Sequence, residues 1–537
     1  MKWGITMQRG FTLVELIAVI MIIGILLILV IPKTIEVIQN SKSKSYDAQI
    51  SKIEDAAALY MTDNSYIVTF NNNVAQITLK QLVSGGYIDP VTNPKTGENF
   101  NQNSTVITIT KSDKKYSYNV VLNVTTDSSG ASVPELASNM IPIYYDATCN
   151  SNVGCWKKAD ETNLNSTYKW YDYTTKKWAN AVTVSAATLS TYKNAALGTQ
   201  IVEADILTYM VWVPRYSYYI TTSGTATSSS IQIKFETAST TKSTGNAIST
   251  YKTHPAFTFG GKELNGIWVG KFETSVDSSS ACYTTPNDVN CNSTAQSLKI
   301  KYGVYSWRYA QISTFFTAIR NMELSNNIYG YIATEVDTHM MKNSEWGATA
   351  YLAYSVYGKN SEVWINSNSS YVTGQSGATV DAATGTTYAY NTTNGVNAST
   401  TGNIYGIYDM SGGAWEYVMG NYNNYSGASS ALNSGFSGPN NDGTTTIGLV
   451  FPISKYYDVY TSTVVASACN NGICYGQALS ETPGWNNDTA VFVSNAIPWL
   501  ARGGLYSHTT VAGIFHANYG YGNTYGTVST RVVVTIE

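Results

Sequence analysis

Glu15 is the first residue here whose position demands a chemical reason. It sets an ionisable carboxyl inside Phe11–Ile31, a run of 21 almost wholly apolar residues. A carboxylate in hydrocarbon costs about 2.5–3.5 kcal/mol on insertion scales and calls for a partner. The run is long enough to cross a core of about 30 Å, and it lacks the small-residue cleavage site that closes a secretory signal. Six cysteines fall as neighbours, Cys149/Cys155, Cys282/Cys291 and Cys469/Cys474. None forms C-x-x-C, which disfavours zinc. Clips closing short loops in an oxidising compartment fit better, each contributing roughly 2–3 kcal/mol. Neighbour pairing rests on proximity, since six cysteines allow about fifteen connectivities, and six reduced buried thiols are the alternative. His254, His339, His508 and His516 are scattered without metal-ligand spacing, and none accompanies a G-x-S-x-G turn. No catalytic residue, metal or cofactor is expected. Asn440-Asn441-Asp442-Gly443 offers oxygen ligands but lacks the acidic density of an EF-hand loop and reads as a turn.

Met7-Gln8-Arg9-Gly10 followed by Phe11-Thr12-Leu13-Val14-Glu15-Leu16 resembles the leader and processing site of type IV prepilins. The resemblance implies cleavage after Gly10 and N-methylation of Phe11 by a prepilin peptidase. It also implies that Glu15 pairs with the new amine of a neighbouring pilin, an attraction that is strong when both charges are desolvated. Gly24 and Pro32 fall where pilin helices loosen or kink. The resemblance implies a single-pass bacterial membrane precursor, then a pilus at the cell surface.

From about Leu207 the sequence resembles the formylglycine-generating enzyme family, related in fold to C-type lectins. The resemblance is carried in order by Met210–Arg215, Gly266–Glu273, a helical pattern over Trp307–Met322, Asn343–Ala348, Tyr405–Tyr417, Arg502-Gly503-Gly504 and Ser529–Val534. In that family formylglycine formation needs a copper-binding cysteine pair after the Arg-Gly-Gly motif. No cysteine follows Gly504, and the hydroxyl of Ser507 is no soft copper ligand. The chain is therefore expected not to be an enzyme. Relatives with hypervariable binding loops carry them after the same motif. By that resemblance Tyr506, His508, His516, Asn518, Tyr519, Tyr521, Asn523 and Tyr525 would bind a glycan or protein ligand. Trp415 and Tyr408 are expected to fill the core, and Glu416 with Arg531 to form a polar network.

The elements that must position these residues follow from periodicity. Tyr46, Ile50, Ile53, Ala57 and Tyr60 recur at steps of four and three, one apolar helical stripe. A helix from Phe11 to Asp63 would run about 80 Å at 1.5 Å per residue. Ala75–Leu82, Val106–Thr110 and Tyr116–Val124 predict strands of a small antiparallel sheet. The sequence predicts an α+β chain: leader 1–10, pilin-like domain 11–124 with its helix over 11–63, linker 125–138, a small β-rich connecting subdomain over 139–206, and a lectin-like domain over 207–537. Charged residues are 12% and the net charge is -3, so no basic field suggests nucleic acid. Abundant Tyr, Gly, Ser, Thr and Asn suit an extracellular recognition surface. A second domain of this size fits poorly on every step of a filament, so the sequence predicts a minor or tip pilin acting as an adhesin. The rival is a shaft subunit or secretion pseudopilin with a decorative domain.

Overall fold

The computed structural model describes residues 48–70, 73–92, 100, 105–112, 115–122, 130–149, 153–164, 166–220, 230–248, 250–377, 388–428, 433–461, 474–508 and 511–537. The chain divides into two compact units, Met1–Thr125 and Thr126–Glu537.

In the first unit a helix, α1, covers 48–64. Ile53, Ala56, Ala57, Tyr60 and Met61 are buried, the stripe that helical period requires. They share a core with Ile77, Leu79, Leu82, Ile107 and Ile109. The sheet against this core is antiparallel, in the order β1 (Val74–Thr78), β2 (Thr105–Ser112), β3 (Lys115–Leu122). The first strand stops at Thr78, short of the predicted Leu82. The Thr78 hydroxyl accepts from the Gln81 amide at 3.3 Å, and the Gln81 side chain accepts from the Thr78 amide at 2.7 Å. This capping box starts a short helix, α2 (Leu79–Ser84), because it satisfies two otherwise orphaned donors. Gly10, Phe11, Glu15 and the stem expected over 11–47 lie outside the described residues. Among the described residues no helix is long and apolar enough to cross a membrane.

In the second unit, chain order gives β4 (Ile141–Asp146), β5 (Cys155–Lys158), β6 (Asn180–Val184), β7 (Ile206–Pro214), β8 (Gly266–Gly270), β9 (Val336–Met340), β10 (Trp415–Tyr422), β11 (Asp458–Tyr460), β12 (Trp499–Gly503), β13 (Gly513–Gly520), β14 (Val528–Thr530) and β15 (Val532–Ile536). Seven form an antiparallel sheet in the order β9-β15-β8-β7-β6-β4-β5. Every residue of β7 and β8 is buried, which explains why they are near-continuous apolar runs rather than alternating ones. Residues 130–138 and the strands β4, β5 and β6 of the connecting segment pack into this architecture. Ala131 and Ala137 are buried, the Ser132 hydroxyl donates to the Asn265 carbonyl at 2.8 Å, and β6 pairs directly with β7. Small residues that look like linker chemistry are here the ones that fit beneath a sheet.

The helix α3 (Ile312–Arg320) is shorter than the pattern over Trp307–Met322 predicts, and it buries Ile312, Phe315, Phe316 and Ile319. The helix α4 (Asn343–Ala353) begins at the predicted Asn343 and is buried at every residue. Gly347 sits mid-helix, where Ala would be favoured by roughly 0.5–1 kcal/mol on propensity. A Cβ there would lie 2.0 Å from the Gly476 carbonyl oxygen. Gly347→Ala should therefore destabilise the chain, by about 1–3 kcal/mol of overpacking. Chemical denaturation checks the sign, which propensity alone gives the other way.

Cys149 pairs with Cys155 and Cys282 with Cys291. Cys474 is also disulfide-bonded, and Cys469 lies outside the described residues.

Candidate ligand-binding pocket

The second sheet of this unit runs β11-β10-β12-β13, with β14 also paired to β10. β10 is antiparallel to β12 and parallel to β11 and β14. Alternation along Trp415-Glu416-Tyr417 sends the two aromatic rings to one face and the carboxyl to the other. On the aromatic face Tyr417 stands opposite Ala501, and Ala501 opposite Asn518, while Trp415 stands opposite Val528. This row floors a cavity of about 330 Å³, whose walls include Ile497, Tyr519, Tyr521, Tyr525 and Thr527. The Tyr417 hydroxyl accepts from the Gly522 amide at 3.1 Å and donates to the Asn523 carbonyl at 3.4 Å. Those bonds hold the 520–525 turn over the sheet.

Four of the eight residues singled out in the sequence line this cavity: Asn518, Tyr519, Tyr521 and Tyr525. His516 and Asn523 are only 2% and 6% exposed and present no open side chain. Their roles are internal. The His516 Nδ1–H donates to the Val511 carbonyl, and its ring packs 4.5 Å from that of Trp415. His508 packs on Trp415 at 5.2 Å, and Tyr506 packs on Tyr371 at 5.1 Å. Burial lowers His508 and lowers His516 to about 4, so both imidazoles are neutral at pH 7. Trp415, expected as core, is 8% exposed and forms part of the cavity wall. Tyr408 is fully buried, as expected. Trp415, Tyr417, Ile497 and Ala501 were not legible as site residues. Only the two-residue alternation of Trp415 and Tyr417 hinted at a shared face.

Beneath the floor the opposite face is ionic. Glu416 and Arg531 are each 0% exposed and form an ion pair. Arg531 Nε donates to Glu416 Oε2 at 2.9 Å, and Nη2 donates to Oε1. The same guanidinium donates to the Gly270 carbonyl at 2.8 Å and the Tyr408 carbonyl at 3.0 Å. One residue thus ties the five-stranded sheet to β8 of the seven-stranded sheet. Burial pushes Glu416 up to about 7, with Arg531 opposing the rise. Glu273 accepts from Ser306 and from the Ala414 amide, and burial with the Asp409 charge pushes it well up. Asp409 accepts from Asn366 at 2.8 Å and the Gly374 amide at 2.9 Å. This buried network aims Trp415 and Tyr417 from behind.

Gly503 and Gly504 have φ of 84° and 81°, a left-handed pair only glycine adopts without strain. They turn the chain from β12 into the loop that carries Tyr506 and His508. Asp442 accepts from the Thr444 amide and hydroxyl, a turn of its own. Among the described residues no group of three or more His, Cys, Asp or Glu is arranged to hold a metal ion.

Comparison with known proteins bears on the N-terminal end. The prokaryotic N-terminal methylation motif matches residues 5–31, a span that holds Gly10, Phe11 and Glu15. Type II secretion system core protein G of Escherichia coli (strain K12) is 34% identical over 70 residues, 13% of this chain and 48% of that protein. The chain thus spans about half the length of the curated relative it matches. These similarities support a type IV pilin-like N-terminal region. Among solved structures, a Major Tropism Determinant U1 Variant matches at 12% identity over 81% of this chain and 82% of that one, with a TM-score of 0.22. A likeness at that level fixes neither fold nor function.

Proposed function

We propose that the chain is a minor or tip type IV pilin-like subunit whose second unit is a C-type-lectin-like, formylglycine-generating-enzyme-like domain that binds a surface ligand as an adhesin. The observation that carries the binding half is the open aromatic cavity floored by Trp415, Tyr417 and Asn518. Rigid tyrosines give large contact area at low entropic cost, and a ring-lined concavity on a firm sheet is the usual form of a recognition site. The prepilin-type segment supplies delivery. A prepilin peptidase would cut after Gly10, the precursor would wait in the cytoplasmic membrane, and Glu15 would guide entry among other pilins. The sequence offers no catalytic set, so the domain is read as a binder rather than an enzyme, without cofactor or nucleic-acid partner.

The similarity to a secretion core protein favours one rival, a pseudopilin or shaft subunit with an added domain. Cells carrying Tyr519→Ala with Tyr525→Ala separate the two. Immunogold labels should stay sparse or terminal, while adhesion falls by about tenfold or more, the loss of one good contact. Uniform labelling along a filament, or adhesion unchanged by the double variant, would sink the adhesin reading.

A further inference from the structure

The lining of the cavity is unusual in what it omits. Five aromatic rings, Trp415, Tyr417, Tyr519, Tyr521 and Tyr525, meet there with no Asp, Glu, Lys or Arg among the lining residues. An anion or a hard metal ion drawn into such a site would lose hydration and find no counter-charge, a cost of several kcal/mol. Arg308, which donates to the Gly526 carbonyl between two lining residues, is 6% exposed. Its guanidinium lies 3.8 Å from the Tyr371 ring centroid, so its face is already occupied.

We propose that the cavity takes an uncharged carbohydrate, one or two pyranose rings of a neutral glycan, without a metal ion. This deepens the reading of the cavity as a ligand site and rests on it. A pyranose has a flat face of C–H groups and a rim of hydroxyls. The C–H face meets the negative faces of aromatic rings favourably. The rim needs groups that both donate and accept, as the hydroxyls of Tyr519 and Tyr521 can, while that of Tyr417 is taken by the 520–525 turn. Asn518 adds a directed donor. Its Oδ1 accepts from the Tyr519 amide at 2.9 Å, which leaves the amide Nδ2 for a sugar oxygen. A volume of about 330 Å³ sits at the small end of ligand sites, about 300–1,000 Å³. A hard cation such as calcium would want carboxylates in its shell, and the lining has none.

The edge of the sheet argues against the main competitor, an extended peptide. Such a ligand adds to a strand whose outward amides are free. Along β13 they are taken. The Phe515 amide donates to Asp488 at 2.9 Å, the Ala517 amide to the Thr489 carbonyl at 2.9 Å, and the Tyr519 amide to Asn518. The Ala517 carbonyl accepts from the Val491 amide at 2.9 Å. The strand is sealed where a peptide would pair, and its ring-lined face stays open.

The test uses the full chain in detergent micelles against immobilised neutral polymers (a glucan, a mannan and a galactan) beside polygalacturonate as the charged control. At least one neutral polymer should bind, with affinity unchanged by EDTA and competed by its own free oligosaccharide. Tyr519→Ala and Tyr525→Ala should each weaken binding by about tenfold, and Tyr519→Phe, which keeps the ring, by less. Binding to polygalacturonate alone, or loss of binding in EDTA, overturns the neutral-sugar class and leaves the ligand site standing. So does failure to bind any polymer while the same variants still abolish cell adhesion. If the variants alter neither polymer binding nor adhesion, both readings fall.

Discussion

Arg531→Met should be the most damaging single replacement in the second unit, lowering its stability by about 3–5 kcal/mol, the usual cost of breaking a buried pair from one side. The methionine would fill most of the space. It could not replace the bonds to Glu416, Gly270 and Tyr408. Glu416 would be left buried without its cation beside Asp409, whose charge already opposes its ionisation. Glu416→Gln should be nearly as harmful, because it orphans the guanidinium instead. The double variant should cost clearly less than the two losses added together, since each single change already forfeits the shared interaction. Denaturant titrations of the four proteins give that cycle. Additive losses would mean that the pair does not act as one unit.

The contribution of His339 to stability should also be lost as pH rises through the neutral and alkaline range. His339 is buried, its Nε2 2.9 Å from Glu345 Oε1 and its Nδ1 3.1 Å from Asp337 Oδ1. Its ring stacks on Phe259 at 4.6 Å. Burial lowers its pKa, but the Glu345 charge and the bonds to both carboxylates outweigh that and raise it from 6.5 to about 9. Around them stand Arg320, Glu323, Lys455 and Tyr456 on Asp337 or its bonded partners, and Lys342 beside Glu345.

A group whose folded pKa is raised stabilises the fold fully below its unfolded value and loses that contribution as pH passes the folded one. For His339 the window runs from about 6.5 to about 9, and the loss is roughly 3 kcal/mol at 1.36 kcal/mol per unit. Glu481, raised to about 7, and Asp488, raised to about 8, both by burial, act in the same direction. Asp337 and Glu345 are held below the usual carboxylate range, so their contribution is present near neutrality and disappears in acid. His339→Gln isolates the histidine. The stability gap between the two proteins should narrow by roughly 3 kcal/mol between about pH 6 and pH 9.5. A gap that stays constant over that range would show that His339 is not held charged.

The composition carried a misleading message about tyrosine. Tyr173, Tyr209, Tyr216 and Tyr408 are almost wholly buried, so much of the tyrosine that suggests a recognition surface is core. Sequence cannot separate the two uses, because a tyrosine hydroxyl can be satisfied by a carbonyl inside, as Tyr173 is by Trp212, or by water outside. The segment after the Arg-Gly-Gly motif was legible as a candidate, yet its members divide. Asn518, Tyr519, Tyr521 and Tyr525 line the cavity, while His516 and Asn523 are buried. The division follows strand direction and turn geometry, which no count of residue types reveals.

The sequence by itself determined the prepilin-type segment around Gly10, Phe11 and Glu15. A carboxyl in an apolar run is a local conflict, visible without knowing what surrounds it. It also determined the buried stripe of α1, the start of α4 at Asn343, and the pairing partners Glu416 and Arg531 as a polar network. These are short-range periodicities or charge types that must be neutralised wherever they are buried. Only the tertiary structure decided that 139–206 completes the same sheet as 207–537, and that Trp415 and Tyr417 share a cavity with residues about a hundred positions later. Strand register sets those meetings, and it is a sum of long-range contacts in which each residue contributes little on its own.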